Sequence, residues 1–230
     1  MPSIIWFRDD LRLADNPALT AACTHDQVIP IYIGREKSLK LIDELDPKKR
    51  YIVVVAQEDG SVEEPAPSDL YSYGTLANVL KVFDMPDSSK SAIVQGISRV
   101  KILDYTSIDP YFKAAIKLVE DEPIGDDLEV EALANNLRQS FADLMNVAPN
   151  LTEEHTGMLS NIQKPNRLTD RAISLLTVPN KEKQEVLEEL NIKSRLEKAM
   201  SLISREIQRI KLGEEIQSEV HDEISKTQRE

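Results

Sequence analysis

The hydrophobic period of this chain changes once, near Gly125, and that change limits the fold more than any other feature of its 230 residues. Before it, short β-branched runs are broken by turn residues; after it, apolar residues recur every three or four positions. Strands followed by helices, rather than alternating with them, place the chain in the α+β class.

In the first half, YIVVVA (Tyr51 to Ala56) is bounded by Pro47 and Gly60, and GTLANVLKVF (Gly74 to Phe83) stops at Pro86-Asp87. KSAIVQGISRVKIL (Lys90 to Leu103) resumes strand character with a bulge expected at Gly96. Phe112, Ala114, Ile116 and Leu118 alternate with Lys113 and Lys117, the period of a strand with one wetter face. A mostly antiparallel sheet is expected, interrupted by two helices. One starts at Asp15-Asn16-Pro17, and the other runs from Arg35 to Leu45 with Leu39, Ile42 and Leu45 at helical spacing.

In the second half, Val130, Leu133, Leu137, Phe141 and Leu144 form one face of a helix behind the acidic start Asp126-Asp127. Helical patterns follow at 152–162, 167–177 and 181–190, separated by Pro149-Asn150, Pro165-Asn166 and Pro179-Asn180. From Ile192 to Glu230 there is no proline. Leu196, Met200, Ile203, Ile207 and Ile210 share a face, and the phase breaks at Gly213-Glu214-Glu215. A helix rising about 1.5 Å per residue over that length outruns a compact bundle, so its distal half reads as an outgoing arm or as a frayed charged tail.

Forty acidic residues against twenty-eight basic ones give a net charge of −12, which opposes binding to a phosphate backbone. Cys23 stands alone, and His25, His155 and His221 are too scattered for a zinc site, so neither a disulfide nor a metal is expected. No window approaches a membrane span and no export segment opens the chain, which leads to the expectation of a soluble, cytoplasmic protein without a membrane partner. No phosphate-cradling glycine loop, nucleophile elbow, H-E-x-x-H or C-x-x-C is present. The acidic pairs Glu63-Glu64, Glu153-Glu154 and Glu188-Glu189 point apart rather than converge. The expectation is a chain that is not an enzyme and needs no cofactor.

Six blocks in order resemble the N-terminal domain of the ATP-dependent Lon proteases. They are VIPIYIGREKS (Val28 to Ser38), VVAQED (Val54 to Asp59), DLYSYGTLANVLK (Asp69 to Lys81), VQGISRVKI (Val94 to Ile102), MLSNIQKPNRLTDRAISLL (Met158 to Leu176) and KEKQEVLEELNIKSRLEKAMSLISREI (Lys181 to Ile207). The resemblance implies a PUA-like β lobe over 28–123, a helical bundle over 124–190, and a linker helix over 191–230 leading to an ATPase module. It also implies a non-catalytic role: capturing unfolded or damaged proteins for an ATP-driven serine–lysine peptidase.

The opening is different. SIIWFRDDLRLADNPALTAAC (Ser3 to Cys23) resembles the start of the photolyase and cryptochrome family, with QVIPIYI (Gln27 to Ile33) fitting its second strand, so residues 1–27 are expected to be a foreign segment. The flavin-binding helical domain of that family has no counterpart here. A second expectation is that Ile4 to Asp9 supplies the first strand of the Lon lobe, burying Trp6 and Phe7, while Asp10 to Asp26 loops out.

The resemblance points to Arg35, Glu36 and Lys37 as substrate-discriminating residues, against the alternative of a solvated first turn. Tyr71 and Tyr73, before Gly74, either present apolar surface to a substrate or plug the lobe. The segment Phe112 to Val119 is the sheet edge expected to accept an extended chain, and the acidic surface is expected to favour basic or apolar segments. The competing functions are a truncated photolyase relative and a structural module that self-associates through its long helix.

Overall fold

The computed structural model describes residues 3–7, 28–33, 36–46, 50–121, 127–148, 151, 157 and 159–227, and for 3–7, 28–33 and 218–227 the backbone alone. The expected helix from Asp15, the burial of Trp6 and Phe7, and most of the 152–162 pattern lie outside what it describes. The chain divides into two compact units, Met1–Glu120 and Asp121–Glu230.

The first unit is one six-stranded sheet: β1 (Ser3–Phe7), β2 (Val28–Ile33), β3 (Tyr51–Gln57), β4 (Leu70–Asp84), β5 (Lys90–Ser107) and β6 (Lys113–Val119), with helix α1 (Glu36–Asp43) between β2 and β3. The order is β2-β5-β4-β3-β1-β6, and β5 also pairs with β6. Long β5 therefore divides one of its edges, giving Lys90–Gln95 to β2 and Arg99–Ser107 to β6. The sheet curls back on itself through β6, which touches β1 at the single pair Ser3↔Lys113. Pairing is antiparallel except between β1 and β3, which run parallel from Ser3↔Ile52 to Phe7↔Ala56. The opening residues thus form a strand of the lobe, as their second expectation held.

Strand β3 is buried on both faces, which explains its unbroken β-branched run. Ile52 joins Leu41 and Ile42 of α1 with Val79, Ala92 and Val94; Val53 and Val55 join Val100, Ile102, Phe112 and Ala114 on the other side. Strand β5 serves both clusters with even-numbered residues, Ala92 and Val94 for one and Val100 and Ile102 for the other. Since side chains alternate, this requires a one-residue slip between them. The slip is a bulge at Ile97, where Ala77↔Gly96 is followed by Leu76↔Ser98. It falls one residue beyond the expected Gly96. Further bulges at Leu80 and Leu103 keep Val82 and Tyr105 in their clusters. Gly74 is needed for close approach: a Cβ there would lie 2.5 Å from the Val54 carbonyl oxygen of β3.

The second unit contains α2 (Leu128–Met145), α3 (Pro165–Ser174), α4 (Asn180–Glu188) and α5 (Ile192–Thr227). Asp127 caps α2, its side chain accepting from the Glu129 N–H at 3.0 Å. Val130, Leu137, Phe141 and Leu144 meet Leu168, Ala172 and Ile173 of α3 and Leu196, Ala199 and Ile203 of α5 in one core. At its edge, Arg195 is completely buried. Its Nη2 donates to Asp121 Oδ1 at 2.5 Å and its Nε to the Glu189 carbonyl at 2.6 Å, while Asn166 Nδ2 donates to the other Asp121 oxygen at 2.7 Å. Helix α5 continues through Gly213 without a break, and every described side chain from Lys211 to Gln217 is exposed. Along these residues the helix forms an exposed arm.

Candidate functional site

The residues singled out in the sequence fall at two places on the lobe. Arg35 lies outside the described residues. Glu36 opens α1 and accepts from Lys40 Nζ at 2.7 Å, a bond that holds its carboxyl below the usual range. Lys37 sits 5.2 Å from the centroid of the buried Phe112 ring and 3.6 Å from Asp109 Oδ1. The charges of the first turn of α1 are thus engaged within the lobe. Tyr71 is half-buried against the cluster containing Phe112. In that cluster the Tyr105 ring meets Phe112 edge-on at 5.7 Å; its hydroxyl has no partner among the described residues, and burial pushes its pKa up to about 12.

Tyr73 is elsewhere, half-buried on the outer face of β4 beneath Lys101 Nζ, 5.4 Å from the ring centroid. Lys101 is in register with Tyr73 on one side and Lys117 of β6 on the other, so the three make one row across three strands. Both lysines are exposed, and neither has a carboxylate within 4 Å among the described residues. The expected acidic character fails at this surface. Residues 51–57, 70–83, 91–103 and 113–119 contain no Asp or Glu, and their charged residues are Lys81, Arg99, Lys101, Lys113 and Lys117. The net negative charge resides in loops and in the helical unit, a segregation legible in the sequence once strand limits are known.

Large apolar side chains are also exposed on the lobe. Tyr51, Leu80, Phe83 and Met85 lie toward the β4–β5 turn, and Leu103, Ile108 and Leu118 toward the β5–β6 end, where Leu103 is 60% and Leu118 56% exposed. Leu80, Ile97 and Leu103 are each the extra residue of a bulge, which turns an apolar side chain outward. The edge expected at Phe112 to Val119 exists from Lys113 onward. Beyond Ser3↔Lys113, Ala114 to Val119 have no strand on their outer side among the described residues.

Comparison with known proteins places the chain in a family. Residues 26–205 match the ATP-dependent protease La (LON) substrate-binding domain. The chain is 38% identical to a Lon protease of Anaeromyxobacter dehalogenans over 88% of its own length and 24% of the relative's. It is 37% identical to that of Koribacter versatilis over 97% and 28%. It therefore spans about a quarter of the length of these relatives. The fold matches the N-terminal domain of a Mycobacterium avium complex Lon protease at a TM-score of 0.65 and 18% identity, over 88% of this chain and 97% of that one.

These findings give no support to a photolyase-like start. An alignment covering 97% of the chain carries most of the opening within a Lon protease, and β1 pairs inside the lobe. The similarity to photolyases rested on the residues Ser3 to Cys23 and Gln27 to Ile33 alone, a small share of the chain. By sequence, extent and fold, the chain belongs to the substrate-binding domain family of the Lon proteases.

Proposed function

We propose that this chain captures unfolded or damaged proteins on the outer surface of its β lobe and presents them to the ATPase and peptidase modules of a Lon-type protease. Recognition rather than catalysis is its part, and the cytoplasm is its place of action. The observation that carries this reading is the set of large apolar side chains that the sheet turns outward, three of them at bulges. Exposed apolar surface of this kind is what an unfolded chain offers a complement to. Helix α5 leaves the second unit as an exposed arm, suited to joining the recognition part to a following module.

The test is binding of the purified chain to a fluorescent, permanently unfolded protein, beside its folded counterpart and a duplex DNA control. Preference for the unfolded form is expected. Equal affinity for the two forms would remove the reading. Exposed Leu212 and Ile216 on α5 favour a second reading, self-association through the arm. Mass that rises with concentration, without client binding, would move that reading to the front.

A further inference from the structure

The row Tyr73, Lys101, Lys117 is unusual in its local energetics. Two lysines stand directly opposite each other on neighbouring strands, an arrangement that opposes folding, and Arg99 lies in the next row with Thr75 and Val119. The acids nearest in sequence are Asp104, beyond the Leu103 bulge, and Glu120, after β6 ends. The row stops at β6, whose outer edge is open from Ala114 to Val119 among the described residues.

A strand added to that edge continues the row by one position. Its residue beside Lys117 has its Cβ about 5 Å from that of the lysine, within reach of an ion pair. Residues before and after it fall on the opposite face, beside half-buried Ile116 and exposed Leu118. We propose that β6 takes an extended polypeptide segment in which acidic residues alternate with apolar ones, the carboxylates completing the row that Lys117 ends. The proposal rests on the capture role above and names the segments that role prefers. It reverses the expectation drawn from net charge. A polypeptide suits the site better than a nucleic acid because β6 offers unpaired backbone donors and acceptors, while the Tyr73 ring, which a base would need for stacking, is covered by Lys101.

The test uses the full chain and labelled peptides the length of β6: glutamate alternating with valine, and counterparts with glutamine or lysine in place of glutamate. The glutamate peptide is expected to bind about three- to tenfold more tightly than the glutamine peptide at low ionic strength, an advantage that shrinks as salt is added. Lys117→Glu is expected to invert the order in favour of the lysine peptide, and Lys117→Gln to level it. Cooperative urea unfolding of both variants, followed by circular dichroism, shows that they fold. Equal affinity for the three peptides, alongside intact capture of unfolded protein, would overturn the inference alone. A single-stranded oligonucleotide that outcompetes the glutamate peptide and is lost in Lys117→Glu would overturn it in favour of nucleic acid. Failure of the wild-type chain to capture unfolded protein would remove the underlying reading as well.

Discussion

Replacing either partner of the Arg195–Asp121 pair is expected to destabilise the helical unit, but unequally. Arg195 is wholly buried, whereas the Asp121 side chain keeps 20% of its exposure and a second donor in Asn166. Arg195→Met leaves a carboxylate that still reaches water and Asn166, and its thioether side chain refills much of the space; the expected loss is about 1–2 kcal/mol. Asp121→Ala leaves a guanidinium in the interior with only the carbonyls of Glu189 and Leu190, and here the loss is about 3–5 kcal/mol. For a unit of this size each kcal/mol moves the midpoint by about 4 °C, so the two variants should differ by about 8–12 °C in thermal unfolding followed by circular dichroism at 222 nm. The double variant should be more stable than Asp121→Ala alone, because the stranded charge has gone. If Arg195→Met proves the more damaging, or if the double variant is the worst of the three, the pair is not governed by the burial of its cation.

Gly74→Ala forces a Cβ against the backbone oxygen of Val54, and a loss of about 1–3 kcal/mol in urea unfolding of the lobe is expected; an unchanged midpoint would show that β3 and β4 separate without cost. Tyr105→Phe removes a buried hydroxyl without a partner and should be neutral or stabilising by about 1 kcal/mol. Because the Tyr105 phenol is raised from 10.0 to about 12, its contribution to stability is complete below pH 10 and falls away as pH rises through about 12. The wild-type lobe should therefore weaken over that window more than the Phe variant, and a Tyr105 titration at 295 nm with an ordinary midpoint would refute this. Leu212→Ser and Ile216→Ser, on the exposed arm, should leave the unfolding midpoint of the bundle within about 0.5 kcal/mol of wild type, and a larger loss would mean that the arm is covered.

What the sequence disclosed depended on the range of the interactions that decide each feature. The two-sided burial of β3 reads directly from YIVVVA, and the long helix from its spacing, because both are periodic and local. The β5 bulge is legible to within one residue because Gly96 marks weak pairing. The bulges at Leu80 and Leu103 carry no such mark; they exist to keep Val82 and Tyr105 in clusters built by other strands. The parallel pairing of β1 was equally hidden, since five residues fit either direction. For the proposed site the obstacle was register: Tyr73, Lys101 and Lys117 are far apart in sequence, and a one-residue slip at Ile97 or Leu103 would scatter them. Overall charge misled because it averages a sheet with few acids, Asp84 and Asp104, with acidic loops and helices.

The lysine row separates stability from function in a measurable way. If Lys101 and Lys117 served only to cover the sheet, their mutual repulsion would have no return. Replacing Lys117 by Ala should then raise the stability of the lobe by a few tenths of a kcal/mol at low salt, about the size of like-charge cross-strand pairs, and leave capture unaltered. If the row receives carboxylates, the same variant should be more stable and yet bind the glutamate peptide about two- to fivefold more weakly, with both differences fading as salt is added. Only the second pattern requires a ligand that resolves the repulsion. A variant that loses stability and binding together would show instead that Lys117 holds β6 in place, and the row would be structural.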